Sequence, residues 1–280
     1  MREITLEELL TAGCHFGHQV TRQNPKARDF VFEARDGIHI IDLAKTKEGL
    51  EEAAEFVKTL AETEGSSIIV VGTKRQAQPV VSAQVNKAKE EGGADGLFSI
   101  TNRWIGGILT NFPMVSKNFE KLATLQKNLA SDEEKSKYTK REVGEWAKEV
   151  SKLQSFYGGV ADMKKVPDAL FIIDSHLEDL AIREARAMGI KTVAIVDTNA
   201  DPEVVDYVIP ANDDALGSLE IIVGHIMDAW VEGRKNMSKK AAKAESKEEK
   251  KEAKKESVKT EKPKKETKAK AEKKNTEKSK

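Results

Sequence analysis

The chain has 280 residues, 39% hydrophobic and 5% aromatic, with 47 basic residues balanced by 47 acidic ones and one cysteine. That is enough apolar material for one large domain or two ordinary ones. A lone Cys14 excludes an intrachain disulfide and fits a reducing compartment, and no stretch approaches the roughly 18 apolar residues that a bilayer span requires.

Thr5 with Glu8 three residues on is a capping box, and it predicts a short helix carrying Leu6, Leu9 and Leu10 that Gly13 ends. Ile38 to Ile41 reads as a short strand, followed by a helix over about 45–62 with Leu50, Ala54, Val57 and Ala61 on one face. Ser67 to Val71 is a β-branched run suited to a strand buried on both faces, and a helix starts near Gln76, where Pro79 is tolerable in the first turn. Further on, Ala169–Ile173, Thr192–Val196 and Tyr207–Ile209 read as strands, with helices over 177–188 and 213–233. This alternation predicts a doubly wound parallel sheet with helices on both faces.

One segment breaks the alternation. Between Phe112 and Tyr157, apolar residues recur at Val115, Phe119, Leu122, Leu125 and Leu129, then at Val143, Trp146, Val150, Leu153 and Tyr157. Steps of three and four describe two helices with one apolar seam each, joined across Ser131 to Arg141, hence an antiparallel coiled-coil hairpin inserted in the sheet domain. Its first arm would reach roughly 27 Å at the helical rise. The domain division is therefore 1–111 with 158–234 as an α/β body, 112–157 as the insertion, and 235–280 as a low-complexity basic tail expected to be disordered when free. The tail holds 19 basic and 9 acidic residues, which leaves 28 basic and 38 acidic in the body. A net-acidic body cannot coat a polyanion, so any nucleic-acid contact must use local basic loops.

Asn102-Arg103-Trp104-Ile105-Gly106-Gly107-Ile108-Leu109-Thr110-Asn111-Phe112 is the most distinctive run. It has no carboxylate pair, thiol or imidazole for catalysis, but its guanidinium could meet a phosphate and its indole could stack on a base or plug the join between sheet and hairpin. Val71-Gly72-Thr73-Lys74-Arg75 sits where open sheets bind phosphates, without the glycine spacing of a nucleotide loop. His15 and His18 have no Cys/His partners at zinc-finger spacing, so structural zinc is not expected and no cofactor is called for, while a divalent ion shared by His18 with Asp197 and Asp201 stays open beside a plain turn histidine. Asp174, Asp197 and Asp201 could gather around magnesium at strand ends, and this supports an alternative reading as a magnesium-dependent enzyme or sensor. The same residues are also strong turn formers.

Four blocks together resemble the family of small ribosomal subunit protein two. They are Ala12 to His18 with Asn24-Pro25-Lys26, Val71 to Arg75, Asn102 to Phe112, and Pro167 to Asp174 continuing through Asp197-Thr198-Asn199 to Asn212-Asp213-Asp214-Ala215. The resemblance implies a flavodoxin-like sheet with the inserted hairpin and a cytoplasmic, non-catalytic role in translation. It also implies docking on small-subunit ribosomal RNA, contact with neighbouring ribosomal proteins including protein one, and no membrane or small-molecule substrate. Gln23, Ala27, Ala211 and Gly217 stand where the family usually has tryptophan, methionine, glycine and arginine. The RNA-contact residues expected on this basis are Arg22, Lys26, Arg28, Lys74, Arg75, Arg103 and Trp104.

Overall fold

The computed structural model describes residues 2–92 and 95–240. In chain order these form α1 (Leu6–Thr11), β1 (Phe16–Gln19), β2 (Val31–Arg35), β3 (Ile38–Ile41), α2 (Leu43–Ala61), β4 (Ile68–Val71) and α3 (Ala77–Gly92). Then come β5 (Leu97–Ile100), α4 (Phe112–Ala130), α5 (Asp132–Ser136), α6 (Lys140–Tyr157), β6 (Ala169–Ile172), α7 (Asp179–Met188), β7 (Lys191–Val196) and β8 (Tyr207–Pro210). A last helix, α8, runs from 216 to 240.

Five strands form a parallel sheet in the order β5-β4-β6-β7-β8, which is the strand order of a flavodoxin-like fold. The β-branched run of β4 is buried throughout and alternates between two cores. Ile68 and Val70 face Leu50 and Val57 of α2, Val81 of α3 and Trp230 of α8. Ile69 and Val71 face Trp104, Phe119 of α4 and Ile182 of α7. Period-two alternation with both faces apolar is what a sheet covered by helices on each side demands. Its amino edge is pinned by carboxylates: Asp168 accepts the Ser67 amide at 2.8 Å, and Asp206 accepts the Thr192 amide at 2.9 Å.

One strand takes a different place and one was not read. Ile38–Ile41 lies outside the parallel sheet and is the centre of an antiparallel sheet ordered β1-β3-β2. Asp36 and Gly37 both have positive φ, 53° and 79°, and close the β2–β3 hairpin as a two-residue turn whose twist suits antiparallel strands. The edge strand β5 went unread because Leu97-Phe98-Ser99-Ile100 is short, carries a polar residue and has little β-branching.

α4 and α6 lie side by side in opposite senses. The Asn118 amide donates to Tyr157 Oη at 3.2 Å, Gln126 donates to Gln154 at 2.8 Å, and Lys121 pairs with Glu149. Val115, Phe119 and Leu122 are buried with Tyr157 in the second core, whereas Leu129, Val143 and Trp146 toward the connection are only half-buried. Among the described residues no helix is long and apolar enough to cross a membrane. Most of the expected lysine-rich tail, from 241 on, lies outside the described residues.

α2 approaches β8 so closely that a Cβ on Gly49 would stand 2.3 Å from the Val208 carbonyl oxygen. Gly49→Ala is therefore expected to lower stability by about 2 kcal/mol through forced separation of helix and strand, measured by urea denaturation. An unchanged midpoint would show that the helix can slide at no cost.

Candidate nucleic-acid interface

Every parallel strand delivers its exit turn to one edge of the sheet, and there the chain gathers charge. Lys74, three residues past β4, places Nζ 3.3 Å from Asp174 after β6 and 2.9 and 2.6 Å from Asp213 and Asp214 after β8. Asp174 has φ 67°, a left-handed conformation that Asp tolerates, and its Oδ1 accepts the amides of His176 and Leu177. The neighbouring Asn212 shapes the last turn by accepting the Asp214 and Ala215 amides and donating to the Gly13 carbonyl.

β1 brings His18 into the same cluster. Its Nδ1 lies 3.0 Å from Asp197 Oδ2, its Nε2 lies 3.7 Å from Asp214, and its amide donates to Thr198 Oγ1 at 3.0 Å. The hydrogen bond to Asp197 raises the imidazole pKa above 6.5, against the pull of burial. With four carboxylates around two possible cations, Asp213 is left short of positive charge. Its burial, with Asp174 and Asp197 nearby, pushes its pKa up to about 7 despite Lys74.

The distinctive run is organised by a residue far along the chain. Glu184 of α7 is 93% buried and takes five hydrogen bonds from it. Oε1 accepts from the Trp104 indole at 3.3 Å and the Gly107 amide at 2.8 Å. Oε2 accepts the Leu109 and Thr110 amides at 3.2 and 3.3 Å and the Thr110 hydroxyl at 3.2 Å. Gly107, at φ 93°, makes the turn that aims these amides inward. Burial pushes the Glu184 pKa up, but the Gly107 amide, the Trp104 indole and the other donors outweigh it and hold it below 4.5. Asn102 ties the start of the run to α6 through the Ser155 carbonyl.

The structure separates the seven expected contact residues into two groups. Arg22, Arg28, Arg75 and Arg103 are exposed and outside every ion pair of the described residues. Lys26 is exposed too, but pairs with Asp201 at 2.8 Å and Glu203 at 2.5 Å. Lys74, with a side chain 17% exposed, is committed to its carboxylates. Trp104 is buried in the second core, with its N–H spent on Glu184, so it plugs the join and offers no open face for a base. All these positions lie at or beside the carboxyl edge: Arg75 and Arg103 follow β4 and β5, while the loop of Arg22, Lys26 and Arg28 is bound to the turn after β7 through the Asn24 amide and the Thr198 carbonyl.

The three aspartates of the magnesium reading are not one site, because Asp174 serves Lys74, Asp197 serves His18 and Asp201 serves Lys26. The metal-competent grouping among the described residues is instead His18, Asp213 and Asp214, whose ligand atoms lie within 4.8 Å of one another. Glu184 escaped the sequence reading. The available signal was an acidic residue three positions after Ala181, on the apolar face shared with Ile182 and Ala185.

Residues 9–233 match the family model described as ribosomal protein S2. The small ribosomal subunit protein uS2 of Fusobacterium nucleatum subsp. nucleatum is 41% identical over 245 residues, covering 88% of this chain and 96% of its own length.

Replacing Lys74 by Met should cost about 3 kcal/mol in chemical denaturation, because it strands buried carboxylates. Asp213 binds its proton more tightly folded than unfolded, so wild-type stability falls as pH rises toward about 7. The Lys74→Met penalty should therefore be larger at pH 8 than at pH 5, and a pH-independent penalty would contradict the cluster. Glu184 has the opposite sign. Its contribution is present above pH 4.5 and is lost as pH falls through its lowered folded value. Amide exchange at Gly107 and Thr110 should accelerate there before that of β4.

Proposed function

Because the chain belongs to the ribosomal protein S2 family, a structural and non-enzymatic constituent of the small ribosomal subunit, we propose that it grips ribosomal RNA with the arginines at the carboxyl edge of its sheet. What supports this reading is one observation: in a body with ten more acidic than basic residues, Arg22, Arg28, Arg75 and Arg103 stand exposed at that edge with no ion pair among the described residues. An arginine left unpaired amid surplus carboxylates is free for phosphate, which its planar fork matches. Lys26 joins them by exchanging Asp201 and Glu203 for RNA. Lys74 and Trp104 act one step back, by holding the turns that carry Arg75 and Arg103.

In this reading the acidic remainder of the surface meets basic neighbouring proteins, ribosomal protein one among the contacts implied by the resemblance. The α4–α6 pair serves as an inserted antiparallel coiled-coil hairpin. The lysine-rich segment beyond 240 adds long-range attraction to RNA, sensitive to salt because each neutralised phosphate releases counterions. The enzyme reading has no support from the cluster geometry, which divides its three aspartates among three different cations.

Arg103→Ala should leave the fold intact, weaken binding to small-subunit ribosomal RNA about ten-fold, and lower the salt slope by about 0.7 to 0.9. Filter binding across a salt series and sucrose-gradient occupancy measure the two effects. Wild-type occupancy with an unchanged slope would remove this arginine from the interface.

A further inference from the structure

We propose that Glu184 is a positioning residue for RNA binding: its carboxylate acts as a built-in anion that fills the turn over 104–110 and thereby displays Arg103. The proposal rests on the reading of Arg103 as an RNA contact.

The turn has the construction of an anion site. Three backbone amides, a hydroxyl and an indole N–H converge on two oxygens, with the positive φ of Gly107 closing the concavity. No lysine or arginine pairs with Glu184 among the described residues, so dipoles alone compensate its buried charge. A carboxylate held this way is costly unless every lone pair is used, and here the donors fill both oxygens. The side chain crosses from α7 to a loop 74 to 80 residues earlier. Ionised Glu184 therefore fixes a segment that has no strand or helix of its own.

The consequence for RNA is one of placement. Arg103 immediately precedes the anchored Trp104 and follows Asn102, which is tied to Ser155. Its backbone is thus held from both sides while its side chain stays exposed and has no ion pair among the described residues. Because Glu184 already occupies the concavity, a phosphate cannot settle on the amides and is left to the guanidinium beside them. Without the carboxylate the amides lose their partner, the turn loosens, and Arg103 pays ordering entropy on binding.

The test is a double-mutant cycle on the full chain, reading affinity for small-subunit ribosomal RNA and the thermal midpoint. Glu184→Gln and Arg103→Ala should each weaken binding about ten-fold, and the double variant should be within about two-fold of Arg103→Ala alone. A double variant that loses the product of the two effects would overturn the positioning role. Arg103→Ala with wild-type affinity would instead overturn the contact reading itself. If Glu184→Gln fails to fold, Thr110→Val removes a single donor, and its smaller loss of affinity should likewise vanish when Arg103 is Ala. Glu184→Ala supplies an independent readout, since the atoms deleted correspond to acetate. Added acetate should restore RNA affinity to Glu184→Ala but not to Arg103→Ala, relative to chloride at equal ionic strength. Restoration in both or in neither would sink the built-in anion.

Discussion

At the carboxyl edge of the sheet the ammonium of Lys74 sits among Asp174, Asp213 and Asp214, and the exits of β4, β6 and β8 are thereby drawn to one point. Those carboxylates would otherwise repel one another in a region poor in water. His18 extends the same compensation to Asp197 and ties the antiparallel sheet to the parallel one. The position matters because strands β4 and β6 flank the point where connections diverge to opposite faces, the usual ligand crevice of such sheets. In this chain the crevice is filled from within by an ion cluster, which leaves the arginines of the rim as the exposed charge of that edge.

The rim takes its form from a second internal charge. Glu184 does for the turn over 104–110 what Lys74 does for the strand exits, with the signs reversed: one anion among backbone dipoles, one cation among carboxylates. Glu184 is buried and Lys74 largely covered, and the partners of both come from distant parts of the sequence. The chain thus reserves its most conspicuous aromatic, Trp104, for packing, while the flanking arginine remains available to solvent.

Much of this was legible in the residues. The β-branched run of β4, the capping box at Thr5 and the apolar seams between Phe112 and Tyr157 are local patterns, and the strand and helices form where they place them. The Asp36-Gly37 turn was also written locally and was overlooked. Of its two strands, β3 was read from its apolar residues, whereas β2 is almost wholly exposed and shows no alternation to read. What local pattern cannot carry is the partner of a charge. Lys74 read as a phosphate ligand because its three carboxylates arrive from 100 to 140 positions away, and Glu184 went unread because its donors lie 74 to 80 positions away.

The pairing of β4 with β6 has a bearing on how the molecule is made. Ser67 and Asp168, which immediately precede the two strands, are 101 residues apart, and between them lie α3, β5 and the whole α4–α6 segment. During synthesis β4 must wait, with an apolar surface on either side, until all of that intervening chain has emerged. Long-range parallel pairing of this sort is slow and exposes the nascent chain to self-association. The antiparallel helices α4 and α6, joined through the short α5, can pair in the interval and shorten the distance that β6 has to close.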